Sequence, residues 1–248
     1  AGPTVTLSSS GTIYAVDNVG NVSAGQAVTV IQDTTGPTLP TITGINAEAH
    51  DAGGFTYYYA SGGVTFSLSS NDGTGSGVAG YSPNGDGSGA GPTVTLSSSG
   101  TIYAVDNVGN VSAGQAVTVT QDAAAPNITD VGATTGTGIY FDGGSGYFTT
   151  GTDLAFTPST DEAGSGLQGF NTDGGTAVVG TSLTLSADGS TYDIYAVDNV
   201  DNVSTAESVT VSQDTTGPAL PTITGINAEA HRSEEHTSEL QSHAPTSY

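Results

Sequence analysis

Thr12-Ile-Tyr-Ala-Val-Asp-Asn-Val-Gly-Asn-Val-Ser23 decides how this chain is read, because it occurs three times. It returns unchanged as Thr101 to Ser112, and in altered form as Asp193-Ile-Tyr-Ala-Val-Asp-Asn-Val-Asp-Asn-Val-Ser204. Tyr14, Tyr103 and Tyr195 mark the register, 89 and 92 residues apart. A period of that length is the size of one small β domain, so the sequence predicts a tandem array. Strand alternation puts Ile194 and Ala196 on one face and Tyr195 and Val197 on the other. Apolar residues on both faces imply a central strand, the penultimate one of its domain. The polar end, Asp17-Asn-Val-Gly-Asn21, reads as the hairpin turn that follows. Gly20 suits a positive φ there, and Asp201 replaces it in the third copy at a modest cost.

Outward from that stretch, residues 1–30 are identical to residues 90–119. Residues 1–33 therefore read as the C-terminal part of a repeat. Asp33-Thr-Thr-Gly-Pro37, Asp122-Ala-Ala-Ala-Pro126 and Asp214-Thr-Thr-Gly-Pro218 recur as linkers, where Pro fixes φ and removes a donor before an edge strand. Complete domains are expected over residues 34–122 and 123–214, and the start of a further repeat over 215–231. Residues 232–248 break the pattern and contain Arg232, the one basic residue outside histidine. The run Arg232 to Ser242 resembles a translated sequencing adapter, so this tail is read as non-native. Alternation between Gly-rich turns predicts seven strands in the first complete domain: 39–45, 55–59, 63–68, 78–81, 93–96, 101–106 and 115–121.

Composition narrows the class. The 248 residues include 37 Gly but no Cys, Met or Trp, and the residues that build amphipathic helices are scarce. Val, Thr, Tyr and Ile between Gly-rich turns argue for an all-β protein. The formal charge of −23 repels phosphate backbones and anionic bilayers, so neither nucleic-acid binding nor membrane insertion is expected. It favours cations, calcium above all, and equally suits a soluble, non-adhesive surface. Without Cys there is neither a disulfide framework nor a thiolate metal site.

The order Asp-x-x-x-Pro, Gly-Ser-Gly-Val or Gly-Ser-Gly-Leu, then Tyr-Ala-Val-Asp-Asn-x-Gly-Asn-x-Ser resembles bacterial Ig-like tandem repeats of large secreted or surface adhesins. The resemblance spans residues 1–231. It implies immunoglobulin-like β-sandwiches in a linear array, at the bacterial cell surface or outside the cell. The partners it implies are neighbouring repeats of the same chain and, beyond them, cell-surface glycans or proteins. It also implies calcium shared between linker aspartates and loop carboxylates. Here those are Asp33, Asp122 and Asp214 in the linkers, and Asp17, Asp106 and Asp198, each closing a strand whose tip is expected to approach the next linker.

Other constellations are weaker. Asn84-Gly-Asp-Gly-Ser-Gly89 resembles half of an EF-hand loop, but Thr95 stands where the closing Glu belongs. Asn71-Asp72 and Asp161-Glu162, each before a Gly-Ser-Gly turn, read either as solvated carboxylates or as a further cation site. Phe55-Thr-Tyr-Tyr-Tyr59 is the one aromatic cluster. Tyr57, Tyr58 and Tyr59 offer either core packing or a ledge for stacking sugars. His50 and His231 lack a serine–base–acid context, so no enzyme activity is expected of the chain itself. The reading that follows is a stalk of an adhesin-like protein, stiffened by calcium at its joints. Glycan-binding modules and accessory repeats of a large secreted enzyme are the alternatives.

Overall fold

Short β-branched runs between glycine-rich turns build only strands, nineteen of them and no helix among the described residues. The computed structural model describes residues 3–132, 139–142, 144–148, 154–156, 158–160, 163–185, 189–222 and 224. The chain divides into two units, Ala1–Gln213 and Asp214–Tyr248. The described residues of the second unit contain no strand, and the tail 232–248 lies outside the described residues. The all-β expectation holds.

In the first unit, β1 (Gly11–Ile13) and β2 (Gln26–Val28) form an isolated antiparallel pair. The next eight strands are β3 (Thr41–Ile45), β4 (Ala49–Gly53), β5 (Thr56–Tyr59), β6 (Val64–Ser69), β7 (Val78–Ser82), β8 (Thr93–Leu96), β9 (Gly100–Asp106) and β10 (Gln115–Gln121). They make two sheets, ordered β4-β5-β10-β9-β7 and β3-β6-β8. Both sheets contribute to one core, with Phe66 and Val64 from the smaller sheet against Tyr57, Ile102, Ala104, Val117 and Val119 from the larger. Two sheets face to face over alternating apolar side chains are a sandwich. As expected, β9 carries the signature and lies in the interior of its sheet, between β10 and β7.

One strand escapes the sequence pattern. β4, Ala-His-Asp-Ala-Gly, has neither alternation nor β-propensity, yet it pairs with β5. It can do so because it lies at the sheet edge, where one partner suffices and few side chains need burial. β5 in turn runs parallel to β10, which fixes the two inward tyrosines opposite the last strand.

The remaining strands are β11 (Ile128–Asp130), β12 (Ile139–Asp142), β13 (Ser145–Phe148), β14 (Leu154–Phe156), β15 (Ser159–Thr160), β16 (Leu167–Asn171), β17 (Leu183–Leu185), β18 (Ser190–Asp198) and β19 (Glu207–Gln213). Their five-stranded sheet, β12-β13-β19-β18-β16, repeats the order seen in the preceding sandwich. A separate core of Phe156, Phe170, Leu183, Leu185, Ile194, Val209 and Val211 fills this second sandwich.

The hairpin after each signature strand needs a left-handed residue at its tip. Gly20 and Gly109 take φ of 92° and 94°, and Asp201 takes 67° at the same place. A side chain in that region costs energy that glycine avoids, though less for aspartate than for most residues. Replacement of Asp201, which is exposed, by glycine (D201G) is expected to stabilise the second sandwich by about 0.5–1 kcal/mol. Denaturant unfolding monitored by tyrosine fluorescence would measure the gain, and a loss of stability would refute the strain argument.

Candidate functional site: a joint between repeats

The three motifs that mark each repeat converge on one end of each sandwich. At the first joint, the signature aspartate Asp106 is buried, and its carboxylate bonds to its own hairpin. Its Oδ1 accepts from the backbone N–H groups of Val108 (3.0 Å) and Asn110 (2.8 Å), and its Oδ2 accepts from Asn110 Nδ2 (2.7 Å). Asn110 Nδ2 also donates to the backbone carbonyl of the linker residue Asp33 at 3.2 Å. One amide thus ties the hairpin to the linker.

The Gly-Ser-Gly turn closes the other side. The Ser76 N–H donates to Asp33 Oδ2 at 2.6 Å, and Gly77 N–H to Asp72 Oδ2 at 2.7 Å. Asn107 Nδ2 donates to the carbonyls of Ser76 (2.8 Å) and Gly77 (3.0 Å), so the hairpin also holds the turn. A Cβ on Gly75 would displace the carboxylates of Asp72 and Asp33 from the positions where their donors hold them. Ser112, the last residue of the signature, donates to Ala113 O and accepts from Ala104 N–H at 2.9 Å, fastening the return strand.

Among the described residues, the second joint repeats the clamp between hairpin, linker and turn. Asn202 Nδ2 donates to Asp198 Oδ2 at 2.7 Å and to the Asp122 carbonyl at 2.9 Å. The Ser165 N–H donates to Asp122 Oδ2 at 2.6 Å, Asn199 Nδ2 holds Ser165 O and Gly166 O, and a Cβ on Gly164 would strike the Asp122 carboxylate. Asp198 is fully buried and accepts from Val200 and Asn202 N–H groups.

The structure changes which partners meet. Asp106 and Asp198 were expected to approach the following linker. They lie instead at the preceding one, Asp106 with Asp33 and Asp198 with Asp122, because the hairpin after the penultimate strand returns to the end where the chain enters. Asp17 is exposed, though it keeps its local bonds to Val19 and Asn21. Asp214, in the second unit, caps the N–H of Thr216 at 2.9 Å. Asp161 and Glu162 lie outside the described residues. The EF-hand-like loop closes on itself: Asp86 accepts from Ser88 N–H, and Asn84 Nδ2 donates to Ser88 O.

Asp33, Asp72 and Asp106 each bring a carboxylate oxygen to within 4.8 Å of the others. Asp72 was one of several loop carboxylates in the sequence; the fold alone selects it. Such a set of oxygens is of the kind that could hold a metal ion. At the same place in both joints a serine hydroxyl, Ser76 Oγ or Ser165 Oγ, is buried without a hydrogen-bond partner among the described residues.

The tyrosine ledge does not form. Tyr57 and Tyr59 are 3% and 4% exposed and belong to the core, Tyr57 edge-on to Phe66 and Tyr59 donating its hydroxyl to Ser97 O at 2.7 Å. Tyr58 alone points away from it, across from His50 on β4. Among the described residues the exposed aromatics are elsewhere, at Tyr14, at Phe55 and at the cross-strand pair Tyr140–Tyr147, whose ring centroids are 6.2 Å apart.

No protein-family model matches the chain. The chain is 31% identical to Exoglucanase B of Cellulomonas fimi over a 242-residue alignment, which covers 83% of this chain and 20% of that protein. It therefore spans about a fifth of the length of the relative it matches. Among solved structures, the Bacteroides ovatus mixed-linkage glucan utilization locus protein SGBP-B, in complex with a mixed-linkage heptasaccharide, aligns at 15% identity. That alignment covers 82% of this chain and 52% of the other with a TM-score of 0.18, a likeness too slight to argue from.

The Ser76 N–H, then the Thr35 N–H, hold the Asp33 carboxyl below the ordinary aspartate value. A carboxylate with a depressed folded-state pKa contributes stability above its unfolded value and loses it as pH falls through the folded one. Thermal unfolding followed from neutral pH to about pH 2 should therefore show a decline in acid that is shallower in D33N. Equal slopes for the two proteins would remove Asp33 from the joint's energetics.

Proposed function

We propose that this chain is a non-catalytic accessory array within a larger extracellular polysaccharide-acting protein, where its repeats hold neighbouring modules at set spacings. The observation that carries this reading is the duplicated joint, in which one asparagine binds the hairpin and the linker carbonyl together. A flexible tether needs no such clamp, whereas a spacer of defined reach does. The match to a fifth of an exoglucanase supports an enzyme's accessory region over an adhesin's stalk. Placement outside the cell agrees with the acidic surface, and no helix among the described residues is long and apolar enough to cross a membrane.

Calcium at the joint is the second part of the proposal. In the first joint three carboxylates converge in a chain whose one Lys or Arg lies in the tail, so no basic side chain of the two sandwiches neutralises them. A bound cation would relieve that repulsion and lock linker, turn and hairpin together.

Spacing is testable by pulsed electron–electron distances between spin labels on cysteines introduced at the exposed Ser98 and Val179, since the chain has no cysteine of its own. One narrow distance is expected, broadening in N202A as the clamp is lost. A broad distribution in the unmutated joint would refute the spacer. Release of reducing sugar from cellohexaose by the purified chain would refute the non-catalytic reading.

For the cation, millimolar calcium is expected to raise the melting temperature of the chain, and D72N to abolish that rise while leaving the calcium-free melting temperature nearly unchanged. Asn keeps an oxygen for the Gly77 N–H but removes the charge. A melting temperature indifferent to calcium would discard the cation and leave the spacer intact.

A further inference from the structure

The two sandwiches share the clamp between hairpin and linker, and one of the places where they differ is a hairpin. In the first, β4 and β5 are joined through Gly53, Gly54 and Phe55, which take φ of 85°, 61° and 61° in succession. Glycine adopts these values freely, but a bulky side chain at φ 61° is a genuine outlier. Phe55 nevertheless stays there with its ring 49% exposed, so core burial does not explain it. In the second sandwich, Gly144 stands in its place. The Thr210 N–H donates to Gly144 O at 2.9 Å, as the Thr118 N–H donates to Phe55 O at 2.9 Å. Gly144 itself is not left-handed, so the second hairpin keeps the same bond to the last strand with no strained residue, and the strain at Phe55 is particular to the first. Local strain of this kind concentrates where a side chain is held for a ligand.

Around Phe55 the chain opens a groove of about 350 Å³, lined by Thr43, Gly44, Asp51, Gly54, Phe55 and Tyr57, with Ile42 and Ile45 at its wall. Both strands that form it are bulged. β3 slips register against β6 between Ile42 and Gly44, and β4 slips against β5 between Asp51 and Gly53. Bulges re-aim side chains and are frequent beside binding sites. The corresponding β12–β13 hairpin pairs without a slip. Asp51 Oδ1 accepts from the Gly53 N–H at 2.8 Å, which holds the bulge and leaves Oδ2 without a hydrogen-bond donor among the described residues. Tyr57, buried except where it lines the groove, has no partner for its hydroxyl among the described residues.

We infer that this groove binds a segment of neutral β-glucan, with the Phe55 ring stacked on the C–H face of one glucose unit. Asp51 Oδ2 and the Tyr57 hydroxyl take hydrogen bonds from, and give one to, the sugar hydroxyls. An exposed ring with a carboxylate acceptor and a phenol beside it matches the alternation of C–H faces and hydroxyl edges on a pyranose. The chain's formal charge of −23 selects against uronic acids and sulfated sugars. The choice of glucan among neutral sugars rests on the polysaccharide-acting reading above. The site itself, with its strain, bulges and unpaired polar groups, does not depend on it.

Isothermal titration calorimetry of the full chain with cellohexaose and laminarihexaose tests this. Saturable binding of at least one, at one site per chain, is expected. F55G installs the residue that the second sandwich uses. It should weaken binding by about tenfold or more while the melting temperature stays level or rises, because strain is relieved. D51N should also weaken binding, whereas Y140A, on the exposed tyrosine pair, should leave it unchanged.

Absence of heat with both sugars would overturn the site, and so would F55G binding as tightly as the parent chain. Loss of binding in Y140A but not in F55G would move the site to the other sandwich and overturn the assignment. A melting temperature lowered by F55G would mark the ring as a packing element and likewise overturn it. Binding of an unrelated acidic or apolar peptide with equal affinity would replace the glucan with a protein partner. The spin-label distances remain informative whichever result is obtained, so failure of the groove is distinguishable from failure of the spacer.

Discussion

A buried aspartate whose carboxylate bonds to its own hairpin is the constraint on which the joints depend. Taking a carboxylate out of water costs several kcal/mol unless donors replace the lost hydration. Asp106 and Asp198 each receive three, two backbone N–H groups and one asparagine amide, all from within four residues. Because the amide has a second hydrogen, it can also hold the linker carbonyl. Removal of the aspartate would free the asparagine, and the linker would lose its register on the sandwich. The Gly-Ser-Gly turn relies on the same hairpin through Asn107 and Asn199.

This arrangement explains why three distant motifs travel together. The linker aspartate, the turn and the signature hairpin are separated by tens of residues but meet at one domain end. The hairpin's asparagines hold carbonyls of the linker and the turn, and the linker aspartate takes an N–H of the turn. The cluster at Asp33, Asp72 and Asp106 is the electrostatic consequence: carboxylates positioned by N–H donors, with no basic side chain among them. The clamp between hairpin and linker is shared by both repeats, and the β4–β5 hairpin is one place where the two sandwiches part. Divergence at one turn, with phenylalanine where the second sandwich has glycine, is where an individual property of the first sandwich is to be sought.

Much of the fold was legible from periodicity. All seven strands expected in the first sandwich fall within about two residues of those found, because alternation and Gly-rich breaks are local signals. β4 was not, since an edge strand need satisfy neither pattern nor propensity. The sequence-level choice for the tyrosines, core or ledge, was open for a physical reason. Alternation says that Tyr57 and Tyr59 share a face, but only the parallel pairing of β5 with β10 says that this face is inward. Likewise the aspartates were legible as a set, whereas the direction in which the hairpin returns decided that Asp106 meets Asp33.

The repeated stretch separates the two kinds of determination. Thr12 to Ser23 and Thr101 to Ser112 are identical, and their hairpins carry the same aspartate bonds: 3.0, 2.8 and 2.7 Å in each. Sequence alone sets that turn, because its donors and acceptors lie within four residues of one another. Burial does not follow. Val16 is 64% exposed while its twin Val105 is 7% exposed, and Asp17 lies in solvent while Asp106 is buried. The difference comes from the surrounding sheets, which complete a core around the second copy and supply a linker for its asparagine to hold. A short-range hydrogen-bond pattern can be written into twelve residues, but burial and the joint require partners that only the tertiary fold brings within reach.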